Sequence, residues 1–229
     1  ASLTSGEYTC ETQSFIYQSA VLTADASLAE GAKTFQITGT DFASNSSTTG
    51  WTVTIDNTAP TTGSFATTNA GTAGLIEAGD ALAVVISEAV IDLAHVKAGW
   101  NGSSTAVFVK LLDNGYGSGK DGLWVCIADT ANCAGGTNED ELLGGVNLND
   151  PDYVANTVTF NATLLWTVGA KKFTVTIGSC ASGCGGLGTG GSSTATFTPR
   201  SGADLGGIRD KAGNNMSTSS TAQETGVQF

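Results

Sequence analysis

Apolar residues along this chain come in short Val, Ile and Phe runs cut by Gly, Asn, Asp and Ser. That spacing belongs to strands and turns rather than to helices. Thr52-Val53-Thr54-Ile55 alternates polar and apolar as a half-buried strand does, and the chain then breaks over Asp56-Asn57-Thr58-Ala59-Pro60. Pro60 has no N–H for a ladder, so the strand ends before it. The same reading predicts strands near 6–12, 33–40 and 50–56 in a first unit. In a second unit it predicts strands near 81–90, 105–113, 122–128, 156–164, 171–178, 193–198, 205–210 and 218–228. Loops are expected at 113–121, 129–153 and 179–192, and residues 87–99 leave room for one turn of helix. The expected class is all-β, built as packed sheets.

One motif occurs twice. Asp41-Phe42-Ala43-Ser44-Asn45 and Asp210-Lys211-Ala212-Gly213-Asn214 share the pattern Asp-x-Ala-small-Asn, each at the end of an apolar strand. Asp and Asn side chains bond nearby backbone and hold a tight turn, and the small fourth residue tolerates an unusual backbone angle. The expected place for such a turn is the hairpin that joins the last two strands of a sandwich.

With these motifs in hand, the chain resembles bacterial immunoglobulin-like (Big-type) repeats of surface-layer, adhesin and extracellular filament proteins. In residues 5–60 the resemblance rests on Tyr8-Thr9-Cys10, on Leu28-Ala29-Glu30-Gly31-Ala32-Lys33-Thr34-Phe35-Gln36-Ile37, on the first Asp-x-Ala turn and on the exit Asp56-Asn57-Thr58-Ala59-Pro60. Ser44 stands where the family has glycine, and Cys10 lacks the second cysteine that often follows it. In residues 61–229 the resemblance rests on the opening segment 76–96, with Ala89 in place of proline, and on the closing segment 193–216. It implies tandem immunoglobulin-like sandwiches: a partial domain over 1–58, a linker over 59–62, and a domain over 63–229 enlarged by insertions at the three loops. Such a sandwich needs about seven strands and about 100 residues. Residues 1–58 supply about four strands, so the first domain is expected to lack its first strand and to need a cover for its open edge.

Composition narrows the partners. A formal net charge of −12 leaves too few Lys and Arg to neutralise phosphates, which argues against nucleic acid. No apolar run reaches the 18 residues of a membrane-spanning helix. Spare carboxylates suit hard cations such as Ca²⁺, and equally suit plain solubility. The resemblance implies calcium at the junction, from Asp56, Asn57, Glu77 and Asp80. A weaker acidic set is Glu139, Asp140, Asp150 and Asp152. Both sets also read as solvated acidic turns.

Cys126 and Cys133, and Cys180 and Cys184, flank short loops that local disulfides would close, although cross-pairing satisfies the spacing as well. Zinc fits poorly, with one histidine and no C-x₂-C. Disulfides would place the chain in an oxidising, extracellular setting at a cell surface. Cys10 is left over.

Catalysis has little to work with. The single histidine, His95, reads as a surface or packing residue, and no serine or carboxylate pair sits in a catalytic motif. The Gly-rich run 184–191 lacks the Lys-Ser/Thr of a phosphate cradle. Asn45, Asn101, Asn161 and Asn215 head glycosylation sequons, which arise easily by chance in a chain this rich in Asn, Ser and Thr. Trp51, Trp100, Trp124 and Trp166 read first as core and second as a sugar platform. The functional expectation is a non-enzymatic structural subunit of a filament, pilus-like fibre or surface layer. It would assemble with itself head to tail or by strand donation, with residues 221–229 as the strand best placed to be donated. The alternative is an adhesin or carbohydrate-binding fragment that meets surface glycans through loops 113–121 and 129–153.

Overall fold

A computed structural model describes residues 3–10, 13–19, 28–40, 43–127, 142–191, 194–226 and 229. The described strands are β1 (Leu3–Cys10), β2 (Gln13–Ser19), β3 (Gly31–Thr40), β4 (Ser46–Ile55), β5 (Thr62–Thr68), β6 (Ala81–Ile86), β7 (Thr105–Leu112), β8 (Gly122–Cys126), β9 (Leu142–Asn147), β10 (Val158–Thr167), β11 (Lys172–Ser182), β12 (Thr194–Pro199) and β13 (Ala222–Thr225), with an α-helical turn, α1 (Leu93–Val96), and 3-10 turns at Val168–Ala170 and Cys184–Gly186. The class is all-β. The chain divides into two compact units, 1–56 and 57–229.

Alternation builds the second unit. In β10, Phe160, Ala162, Leu164 and Trp166 are buried while Asn161, Thr163, Leu165 and Thr167 face out. Its neighbours answer in register: Val107 and Val109 on β7, Phe173, Val175 and Ile177 on β11. Nine strands pair in the order β13-β12-β9-β8-β7-β10-β11-β6-β5, every ladder antiparallel. The sheet curls until its edges meet as a near-barrel, with Phe65 of β5 stacked on Phe197 of β12 at 5.9 Å. β5 and β13 run alongside each other without a backbone ladder. Side chains close the seam. Glu224 Oε2 accepts from Thr67 N at 2.7 Å and Thr67 Oγ1 at 2.8 Å, and Ser220 Oγ accepts from Thr62 N at 2.7 Å.

Two fully buried carboxylates fix the loops over this core. Asp121 accepts from Asn114 N at 3.1 Å and from Val154 N at 2.9 Å. Asp80 accepts from Ala70 N and Glu77 N, both at 2.8 Å. Backbone N–H groups thus take the place of water around each anion.

Three strands escape the sequence pattern: β2, β5 and β9. β9 falls where a loop is expected over 129–153, and it contains Gly144 and Gly145, which ordinarily weaken a strand. Packing demands them here. A Cβ on Gly144 would stand 2.7 Å from the Phe197 ring, and one on Gly145 would stand 2.2 Å from the Tyr116 hydroxyl. Conversely, the strand expected over 205–210 is a series of turns with single bridges, Ile91 to Asp210 and Arg209 to Asn215. Helix α1 fills the expected place, and Asp92 caps it by accepting from His95 N at 3.1 Å.

The described residues of the first unit form two antiparallel pairs, β1 with β2 and β3 with β4. The β3–β4 hairpin spans the first Asp-x-Ala turn and pairs Thr40 with Ser46.

Candidate functional site

The β3–β4 hairpin carries an exposed apolar row. Its register sets Phe35 opposite Trp51, Lys33 opposite Val53 and Ile37 opposite Thr49, all on one face. Phe35 and Trp51 stack with centroids 6.0 Å apart and planes at 22°. This face is open: Phe35 is 37% exposed, Trp51 45%, Val53 41% and Ile37 60%. The other face is a hydroxyl ladder, with Thr34 and Thr52 Oγ1 atoms 3.3 Å apart and those of Thr38 and Thr48 2.7 Å apart. Among the described residues neither β3 nor β4 pairs with a third strand, so each is a sheet edge there.

The two Asp-x-Ala turns share a backbone device. Gly213 sits at φ 94° and Ser44 at φ 69°. The left-handed position is therefore kept in the first copy with serine, a residue that adopts it only at some cost in strain. In the second copy Asp210 Oδ1 accepts from Asn214 N at 2.9 Å and Oδ2 from Asn214 Nδ2 at 2.8 Å, which locks the turn.

The expected calcium ligands have identifiable work in this structure. Asp56 closes the first unit and Asn57 opens the second. Asp80 has both oxygens on backbone N–H groups, and Glu77 Oε1 accepts from Thr72 N. These two act as staples of the 69–80 loop. Asp150 accepts from Asp152 N at 2.8 Å and Gly191 N at 3.0 Å, while Glu139 and Asp140 lie outside the described residues. Glu88 and Asp210 bring carboxylate oxygens within 4.8 Å of each other in the second unit, a pairing the sequence does not signal.

His95 donates from Nε2 to Gly202 O at 2.8 Å, tying α1 to the 201–207 turns. Asp92 beside it accepts from Arg209 Nε at 3.0 Å and Nη2 at 2.8 Å. Partial burial pushes the Asp92 carboxyl up, but the Arg209 contact and the His95 N–H outweigh it and leave the group below the ordinary carboxylate value. Burial alone pushes the Lys110 ammonium down.

Cys180 and Cys184 form the local disulfide expected from their spacing, with Cα atoms 6.0 Å apart. Cys126 is also disulfide-bonded. Cys133 lies outside the described residues, and for Cys10 only the backbone strand is described. Asn45, Asn101, Asn161 and Asn215 are all exposed, although Asn161 Nδ2 donates to Ser179 Oγ at 3.0 Å. The tryptophans divide. Trp100 and Trp166 pack on Phe173 in the core, Trp124 is half-buried, and Trp51 is exposed. The segment expected to be donated is held in its own unit: β13 pairs with β12, and Phe229 is buried with its O accepting from Gly74 N at 2.7 Å. No family model matches this chain, and no curated protein or solved structure matches it either.

Proposed function

We propose that this chain is a structural subunit of an extracellular filament, pilus-like fibre or surface layer, and that copies join through the open β3–β4 hairpin. The carrying observation is the row Ile37, Phe35, Trp51, Val53, exposed on a hairpin that pairs with no third strand among the described residues. A strand or sheet from a neighbouring copy would add backbone hydrogen bonds at an edge and remove this row from water. The immunoglobulin-like resemblance belongs to the same reading, since such modules are built from sheets that cover one another. Disulfides and a net charge of −12 favour an oxidising exterior over a nucleic-acid-rich interior. Because β13 and Phe229 are engaged at home, the donated element is drawn from elsewhere in the neighbour, or residues 221–229 leave their own unit first.

Light scattering and negative-stain electron microscopy over a concentration series test this. The full chain is expected to form polymers or ordered arrays, and Trp51→Ser combined with Ile37→Asp is expected to abolish them while the second unit stays folded. A wild-type chain that remains monomeric at every concentration defeats the proposal. The adhesin reading has its own observation, a cleft on the second unit.

A further inference from the structure

Across the outer face of the nine-stranded sheet, Lys110, Trp124, Gly145 and Thr198 lie side by side on β7, β8, β9 and β12. At Gly145 the row has no side chain. Above the gap the phenol of Tyr116 leans in from the 113–121 turn, and Trp124 Cδ1 would stand 3.1 Å from a Cβ there. A half-open cleft of about 210 Å³ results, walled by Tyr116 and Trp124 and rimmed by Thr198, Arg200 and Thr218. Its walls are fixed. Trp124 packs on the small cluster of Leu142 and Cys126, and Cys126 is itself held in a disulfide.

We propose that this cleft binds one neutral pyranose ring, the terminal sugar of a glycan. Three features select that class. The volume is below the 300–1,000 Å³ of pockets for drug-sized ligands, so one ring fits and an extended chain does not. The walls are aromatic, and π faces attract the polarised C–H groups of a sugar ring. The rim is made of hydroxyls and a guanidinium, which match ring hydroxyls as donors and acceptors. Neutrality follows from charge. Arg200 is paired with Asp204 at 2.9 Å, and the chain's net charge of −12 opposes an acidic sugar. Tyr116 stays protonated in the cleft wall, its pKa pushed up to about 12 by burial, and so both donates and accepts at physiological pH.

This site is independent of the hairpin assembly, and the two stand or fall separately. The test is saturation-transfer-difference NMR together with tryptophan fluorescence, using the methyl glycosides of glucose, galactose, mannose and N-acetylglucosamine on the full chain. At least one glycoside is expected to bind saturably, with transfer concentrated on ring C–H protons. Trp124→Ala should weaken it about tenfold or more. The double variant Thr198→Val, Thr218→Val, whose side chains lie at the rim and keep their volume, should weaken it several-fold with an unchanged circular dichroism spectrum. If Trp124→Ala fails to fold, the double variant decides. Absence of binding by all four glycosides, or binding that the double variant leaves intact, overturns the proposal.

Discussion

The two units use similar strands to opposite ends. In the second unit the apolar positions of each strand meet those of another, and Val109, Leu111, Leu123, Val146, Leu164 and Phe173 are shut off from water. In the β3–β4 hairpin the alternation is equally regular, yet Phe35, Ile37, Trp51 and Val53 stay between 37% and 60% exposed. Period-two patterning says that a strand has an apolar face. It does not say whether the same chain covers it. The contrast separates residues that hold this molecule together from residues available to join it to another.

The largest break in that contrast should come at Phe173, fully buried and 4.5 Å from Trp166. Phe173→Ala is expected to cost about 3–5 kcal/mol in urea unfolding of the second unit. Asp121→Ala comes next, because it strands the N–H groups of Asn114 and Val154, at a cost of about 2–4 kcal/mol. Asp121 also gives a pH signature. Burial raises its carboxyl pKa, so the folded state holds this proton more tightly than the unfolded chain does. The stability of wild type relative to Asp121→Asn should therefore improve as pH falls from neutral toward the carboxylate range.

Asp92 should behave in the opposite sense and on a smaller scale. Its pKa is lowered, so its contribution is complete above the ordinary carboxylate value of about 4 and is lost as pH falls below it. Asp92→Asn is expected to cost about 1 kcal/mol at neutral pH, since the Arg209 pair is half-exposed and the cap is a single turn. The smallest effect belongs to the hairpin. Trp51→Ser should move the chain's own unfolding midpoint by about 0.5 kcal/mol or less while changing its association strongly. A large loss of intrinsic stability there would show that the face is internal core after all.

Much of the fold was legible because most strands carry clean alternation, as in β7, β10 and β11. Where the signal failed, tertiary packing had overruled local preference. Gly144 and Gly145 look like loop, but Phe197 and Tyr116 press so closely on them that only glycine fits in β9. The segment 205–210 looks like strand, but Asp210 spends its carboxylate on Asn214 and turns the chain instead. The site was legible only in part. The disulfide between Cys180 and Cys184 is one of the pairings that their spacing allows. The assignment of Asp80 and Glu77 to loop stapling does not follow from sequence, because an acidic residue that holds its own backbone and one that waits for a cation read alike in one dimension. Nor does the Tyr116–Trp124 cleft, whose walls come from separate strands and turns.

The seam between β5 and β13 has a mechanical consequence. Thr62 meets Ser220 and Thr67 meets Glu224, so the two segments run in the same direction. A load applied between residue 57 and residue 226 would drag β5 from its first residue and β13 from its last, sliding one along the other. Links arranged that way share the force and must rupture together, whereas a hairpin pulled at its open end unzips one link at a time. The four hydrogen bonds from Thr62 and Thr67 would act as a shear clamp against a load in that direction.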